Sequence, residues 1–190
     1  MPDLATVLVV EDNDSLASLY ASYLDDEYAV RTASDEAEAR ELMGPEVDIV
    51  LLDRKLPNTS GEEVLYWMQN RNYHAHVAMV TAVDPDFDIV ELPVDDYVVK
   101  PVTSEELIRT VERFRTRGEY DERQRELSAK LVRRNVLTVE KTAAELENSE
   151  EFQRLEARID ALREEVASLE ESLAVEGVQT PSEPSVRTHD

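Results

Sequence analysis

Through the first 118 residues the hydrophobic pattern switches between two periods. Short apolar runs rich in β-branched residues stand at Val7-Leu8-Val9-Val10, Ile49-Val50-Leu51-Leu52, Val77-Ala78-Met79-Val80 and Tyr97-Val98-Val99, with a weaker run at Tyr28-Ala29-Val30-Arg31-Thr32. Runs without polar alternation imply strands covered on both faces. Between them lie segments of helical period at residues 15–24, 35–43, 61–70, 85–90 and 104–117. Ser34 stands before the second of these. Ser60 precedes the third, with Glu63 at the capping-box offset, and Thr103 or Ser104 opens the last. Strand and helix alternating five times predict an α/β fold, a five-stranded doubly wound parallel sheet. In such a sheet the ligand site lies at the carboxyl ends of the strands.

After Gly118 the pattern changes. From Glu119 to Leu173 there is neither Pro nor Gly, and Glu, Arg, Leu, Ala and Val dominate. One apolar stripe runs through Ala129, Val132, Val136, Val139, Ala143 and Leu146. A second runs through Phe152, Leu155, Ile159, Leu162, Val166, Leu169 and Leu173. The two fall out of phase at Glu147-Asn148-Ser149-Glu150, which also reads as a helix N-terminus. The expectation is an α-helical hairpin or coiled-coil segment, in which the first stripe packs on the second or a stripe pairs with another subunit. The expected organisation is a domain over 1–118, helices over 119–175 and a polar, disordered tail over 176–190.

Composition narrows the function. Of 190 residues, 43 are Asp or Glu and 20 are Lys or Arg, a formal charge of −23. Only Lys55, Lys100, Lys130 and Lys141 are lysines; the other basic residues are arginines. The acidic excess is spread over both halves, so it is a surface property and not an acidic tail. Such surfaces repel themselves at low salt and are tolerable when salt screens them, which points to a halophilic host. Cysteine is absent, excluding disulfides, thiol catalysis and Cys-based zinc sites. No apolar run approaches the roughly 20 residues of a transmembrane helix, and Met1-Pro2-Asp3 does not begin a signal peptide. The expected location is the cytoplasm, without membrane association.

The strand ends carry the chemistry. The first strand finishes in Glu11-Asp12, the third in Asp53, the fourth in Thr81, and the last runs into Lys100-Pro101. A parallel sheet brings these ends to one edge, so three carboxylates, a hydroxyl and an ammonium share a pocket. Close carboxylates need a cation, and hard oxygen ligands suit Mg²⁺. A carboxylate beside Mg²⁺ and lysine is equipped to attack a phosphoryl group, while the cations meet the charge on the transferring oxygens. His74 and His76 lie beside the fourth strand, away from that edge, and read as surface or strand-entry residues.

The stretches Val7-Leu8-Val9-Val10-Glu11-Asp12, Ile49-Val50-Leu51-Leu52-Asp53 followed by Leu56-Pro57 and Gly61, Val80-Thr81-Ala82, and Asp95-Asp96-Tyr97-Val98-Val99-Lys100-Pro101 resemble the receiver domain of two-component response regulators, a flavodoxin-like fold. The resemblance covers about residues 4–118. It implies that Asp53 is the phosphoacceptor, fed by a histidine kinase. Glu11, Asp12, Asp53 and the backbone carbonyl of Lys55 would hold Mg²⁺, and Lys100 would contact the phosphoryl group. Thr81 and Tyr97 match the family's switch pair, and Lys100-Pro101 its cis peptide. One departure is the short stretch from Thr81 to Tyr97, with Leu92-Pro93-Val94-Asp95 where many receivers have a longer fourth helix. The C-terminal segment is similar to the HalX domain, a helical module attached to receivers in haloarchaea.

The reading is a phosphoprotein of a phosphorelay, a stoichiometric phosphoacceptor and not a turnover enzyme. Its C-terminal helices carry the output by homodimerisation or by contact with another protein. Two alternatives stand beside it. A DNA-binding transcription regulator would use Arg123, Arg125, Lys130, Arg133 and Arg134, but Asp121, Glu122 and Glu126 dilute that cluster and no helix-turn-helix is evident. A Mg²⁺-dependent phosphatase with an aspartate nucleophile usually carries a second acid two residues on, where this chain has Lys55.

Overall fold

A computed structural model describes residues 4–83 and 91–177. The segment 85–90 and the tail beyond 177 lie outside the described residues, so the short helix and most of the disordered tail expected there are not considered further. The chain divides into two compact units, residues 1–115 and 116–190.

In the first unit, β1 (Thr6–Val10), β2 (Ala29–Ala33), β3 (Ile49–Leu52), β6 (His76–Thr81) and β7 (Asp96–Val99) form one sheet in the order β2-β1-β3-β6-β7. All its pairings are parallel, with Val10 beside Leu52 and Thr81 beside Val99. Each central strand sends alternate residues to opposite faces, and both faces are apolar. Leu8, Val10, Val50, Leu52, Val77 and Met79 enter one cluster, completed by Ala39 of α2 (Glu36–Leu42) and by Val64, Leu65 and Met68 of α3 (Gly61–Asn70). Val7, Val9, Ile49, Leu51, Ala78 and Val80 enter the other, with Tyr20 and Leu24 of α1 (Asp14–Leu24) and Leu107, Val111 and Phe114 of α4 (Ser104–Glu140). The uninterrupted apolar runs are thus strands between two helical layers.

Aspartates finish the opposite, amino edge. Asp48 Oδ2 accepts from the Thr6 N–H at 2.8 Å, and Asp95 Oδ2 from the Val77 N–H at 2.8 Å. At the helix starts, Ser60 caps α3, and Thr103 and Glu106 cap α4 reciprocally. The second helix differs from expectation: Asp35 and not Ser34 is its cap, because the Asp35 carboxylate reaches the Glu38 N–H at 2.9 Å. Ser34 instead gives its N–H and hydroxyl to the Glu38 carboxylate. Periodicity also missed the small hairpin of β4 (Lys55–Leu56) and β5 (Thr59–Ser60), which turns at Pro57 and at Asn58, with φ 62°. Asparagine tolerates that left-handed conformation, and proline sets up the residue before it.

The helix expected to end at residue 117 continues to Glu140. A lone glycine costs roughly 1 kcal/mol relative to alanine, too little to stop a helix flanked by Arg, Glu and Tyr. The second unit takes the rest of α4, the short α5 (Ala143–Glu147) and α6 (Glu150–Gly177). Its core is an antiparallel helical hairpin in which Leu127, Ile159, Leu162 and Val166 are buried, with Tyr120, Leu131 and Leu155 packed against them. The α6 stripe is therefore as expected through its middle. The α4 stripe is corrected: Val132, Val136 and Val139 are 63, 57 and 82% exposed, and Tyr120, Leu127 and Leu131 face the partner helix instead. Both sets recur at helical spacing on one helix, and the longer leucine and tyrosine side chains bury more apolar area. Arg158 clamps the hairpin, bidentate on Glu126 at 3.0 and 2.8 Å and bonded to Glu165 at 2.8 Å. Arg123 meets the same Glu165 at 2.8 Å.

Candidate functional site

Four strands deliver the site. β1 ends at Val10, so Glu11 and Asp12 emerge at the carboxyl edge; β3 ends at Leu52 and presents Asp53 beside them. The Asp53 N–H donates to the Val10 carbonyl at 2.9 Å, which extends the ladder into the site. Carboxylate oxygens of Glu11, Asp12 and Asp53 all lie within 4.8 Å of one another. Glu11 and Asp53 are buried, 3 and 6% exposed, whereas Asp12 is open to solvent.

From β7 comes Lys100, whose N–H continues the sheet by donating to the Thr81 carbonyl at 2.8 Å. Its ammonium bridges the two buried acids, with Nζ 2.5 Å from Glu11 Oε2 and 2.6 Å from Asp53 Oδ2. Burial alone would lower the Lys100 pKa, but the hydrogen bonds to Asp53 and Glu11 outweigh it and raise the value above 10.5. The ammonium is held in its charged form. Lys100-Pro101 is a cis peptide.

The loop after Asp53 is shaped around the carboxylate. Lys55 begins β4, and its N–H donates to Asp53 Oδ1 at 3.0 Å. Gly61 opens α3 and donates its N–H to the Arg54 carbonyl at 2.8 Å. A β-carbon on Gly61 would sit 2.3 Å from the Asp53 carbonyl oxygen, so only glycine lets the backbones meet there. Arg54 donates to Glu62 at 2.8 Å, a pairing that strand-end reasoning did not reveal. Asn13, also overlooked, caps α1 through the Ser15 and Leu16 N–H groups, and its own N–H reaches Glu11 Oε1 at 3.3 Å. An asparagine just before a helical period is the signal that marks such a cap.

Thr81 ends β6 with no exposed surface, and its Oγ1 accepts from the Val83 N–H at 3.3 Å. Tyr97 lies half-buried on β7; its hydroxyl donates to the Val83 carbonyl at 3.0 Å, so both residues engage the same short segment. His74 is exposed and His76 begins β6, where its ring stacks on Phe114 at 5.4 Å. The fold thus places Glu11, Asp12, Asp53, Thr81 and Lys100 along one sheet edge, with the two histidines outside the group. Hard carboxylate oxygens at this spacing, one of them solvent-facing, have the donor chemistry and access a hydrated Mg²⁺ requires.

Comparison with known proteins gives the same picture for both units. Residues 7–112 match the response regulator receiver domain and residues 116–176 match the HalX domain. A Haloferax volcanii protein bearing a transcriptional-regulator name is 41% identical over 160 residues, 84% of this chain and 27% of that protein. The sensory transduction protein RegX3 of Mycobacterium tuberculosis is 39% identical over 124 residues, 63% of this chain and 54% of its own length. The chain thus spans about a quarter to a half of these curated relatives. Among solved structures, the signal receiver domain of a Luxo repressor protein from Vibrio parahaemolyticus superposes with a TM-score of 0.58 at 26% identity, covering 63% of this chain and 95% of that one. TrrA from Thermotoga maritima, solved in complex with Mg²⁺-BeF, gives 0.52 at 28% identity over 58% of this chain and 99% of that one. No helix among the described residues is long and apolar enough to cross a membrane. With its sheet order, its acid edge and a family match over more than half its residues, the chain belongs to the response regulator receiver family and carries a HalX domain after the receiver.

Proposed function

We propose that this two-component response regulator accepts a phosphoryl group on Asp53 from the phosphohistidine of a kinase and passes the change to its C-terminal helices. The observation that carries the proposal is the Lys100 ammonium bridging Glu11 and Asp53 inside a three-carboxylate cluster at the carboxyl edge. Glu11, Asp12, Asp53 and the Lys55 carbonyl would hold Mg²⁺, which when bound offsets negative charge at the site. The Asp53 carboxylate attacks phosphorus; its O–P bond forms as the histidine N–P bond breaks, and the electron pair stays on the imidazole nitrogen. Lys100 leaves the carboxylates to meet a phosphoryl oxygen, and the Thr81 hydroxyl turns to another. Tyr97 follows Thr81, because both are tied to Val83.

For the output, residues 1–118 act as the phosphoacceptor domain and 119–175 as an association module, working by self-association or by contact with another protein in the cytoplasm. The names of several relatives favour transcriptional control as a second reading. Against direct DNA contact by these helices, Arg123 is committed to Glu165, and Arg134 lies 3.9 Å from Glu156. The test is intact-mass measurement after acetyl phosphate and Mg²⁺. The parent should gain one phosphoryl mass and Asp53→Asn none. Equal labelling of both proteins would show that Asp53 is not the acceptor. Light scattering in high KCl, with and without beryllofluoride, then distinguishes gated assembly (mass rises) from constitutive helices (mass constant).

A further inference from the structure

The last three turns of α4 carry an apolar row that the hairpin does not use. Ala129, Val132, Val136 and Val139 recur in steps of three and four, and all are exposed. Residues so spaced share one face of a helix. Valine is a weaker helix former than the Lys, Leu and Arg beside it, so an isolated helix gains nothing from it there. The charges of this stretch divide in the same way. Toward α6, Arg123 bonds Glu165, Glu126 bonds Arg158, and Arg134 lies near Glu156. Arg133 and Glu140 have neither an ion pair nor a side-chain hydrogen bond among the described residues. They stand seven residues apart, two turns, along one flank of the valine row. The other flank is uncharged, with Ser128 and Asn135.

A flank that holds one cation and one anion two turns apart is complementary to itself when reversed. With two copies of α4 antiparallel about a two-fold axis, Val136 of each meets Val139 of the other. The same register brings Arg133 of each copy to Glu140 of the other, so both unpaired charges find partners. A parallel pair would instead set Arg133 against Ser128 and Glu140 against Asn135, leaving the charges unmatched. We propose that the valine row of α4 is a self-association surface on which a second copy of this chain docks antiparallel. Val136 and Val139 form its centre and the two Arg133–Glu140 pairs its rim. This rests on the reading of residues 119–175 as an association module, and it gives that module a surface, a partner and an orientation. Stable interfaces bury about 800 Å² a side, more than four small side chains supply, so the contact is weak. High salt favours it by screening the repulsion between two chains of charge −23.

Sedimentation equilibrium of the full chain in high KCl tests it, from about 10 μM to about 1 mM, the range of a weak contact. The mass of the parent should rise toward twice the monomer value, and Val136→Lys should weaken association at least about tenfold. The chain has no cysteine, so single introduced thiols report orientation. When Arg133→Cys and Glu140→Cys chains are mixed in oxidised glutathione, disulfides joining position 133 to position 140 should exceed the half of all cross-links that random pairing gives. A parent that stays monomeric to the highest concentration overturns the inference and leaves residues 119–175 to contact with another protein. Dimerisation that survives Val136→Lys, or cross-links in random proportion, also overturns it while self-association through another face stands. A Val136→Lys chain that melts lower than the parent when dilute overturns it too, because the row would then be covered within one chain.

Discussion

Replacing Lys100 by methionine keeps most of the side chain's volume and removes the charge between two buried carboxylates. In the parent, the Lys100 side chain is 12% exposed against 3% for the side chain of Glu11 and 8% for that of Asp53, so little water is present to take its place. Carboxylate oxygens held within 4.8 Å repel by roughly 3.5 kcal/mol at an effective dielectric constant near 20. Removing one partner from a buried ion pair costs about 3–5 kcal/mol in measured cases. Without divalent metal, Lys100→Met should therefore lose about 3–5 kcal/mol in urea unfolding at pH 7. Adding Mg²⁺ supplies positive charge to the same acids, so the variant should gain more stability from it than the parent does. Paired urea titrations in EDTA and in 10 mM Mg²⁺ on both proteins provide the measurement. If Lys100→Met is as stable as the parent in EDTA, or if Mg²⁺ leaves the gap untouched, the ammonium is not the counter-charge of this acid pair.

Other consequences follow from single contacts. Gly61→Ala places a β-carbon 2.3 Å from the Asp53 carbonyl oxygen, so the Asp53–Lys55 loop must shift; a loss of about 1–3 kcal/mol and slower labelling by acetyl phosphate are expected, checked by urea unfolding and intact mass. Glu106 is held below its ordinary 4.5 by the Thr103 N–H and hydroxyl. A depressed carboxylate contributes stability above its unfolded pKa and loses it as pH falls through the lowered value. Glu106→Gln should therefore flatten part of the acid limb of a melting-temperature profile below about pH 4.5. In the hairpin, Leu162→Ala removes a fully buried side chain and should cost about 2–5 kcal/mol. Val136→Lys, at an exposed position, should stay within about 0.5 kcal/mol, and a larger loss in a melt at dilute concentration would mean that another surface covers this stripe.

Where fold and site were legible in the sequence, the reason is local physics. Val7-Leu8-Val9-Val10 and Ile49-Val50-Leu51-Leu52 can be buried on both sides only in a sheet sandwiched by helices, and alternation of strand with helix makes that sheet parallel. A parallel sheet forces every strand to end on the same edge, so Glu11, Asp12, Asp53, Thr81 and Lys100 could be grouped without coordinates. Tertiary packing decided what chain order does not encode. Gly118 looked like a boundary, yet a glycine's cost of roughly 1 kcal/mol is small beside the helix formers around it, and α4 runs through. Two apolar stripes on α4 have the same period, and only the facing leucines of α6 select Leu127 and Leu131 over Val132, Val136 and Val139. The requirement for glycine at position 61 likewise depends on the approach of the Asp53 backbone, which only the folded chain supplies. Period and residue type act over one or two turns of chain, and they determined the elements and the edge where the chemistry gathers. Contact over tens of residues decided which side chains are enclosed, and burial is what makes a bridging lysine matter.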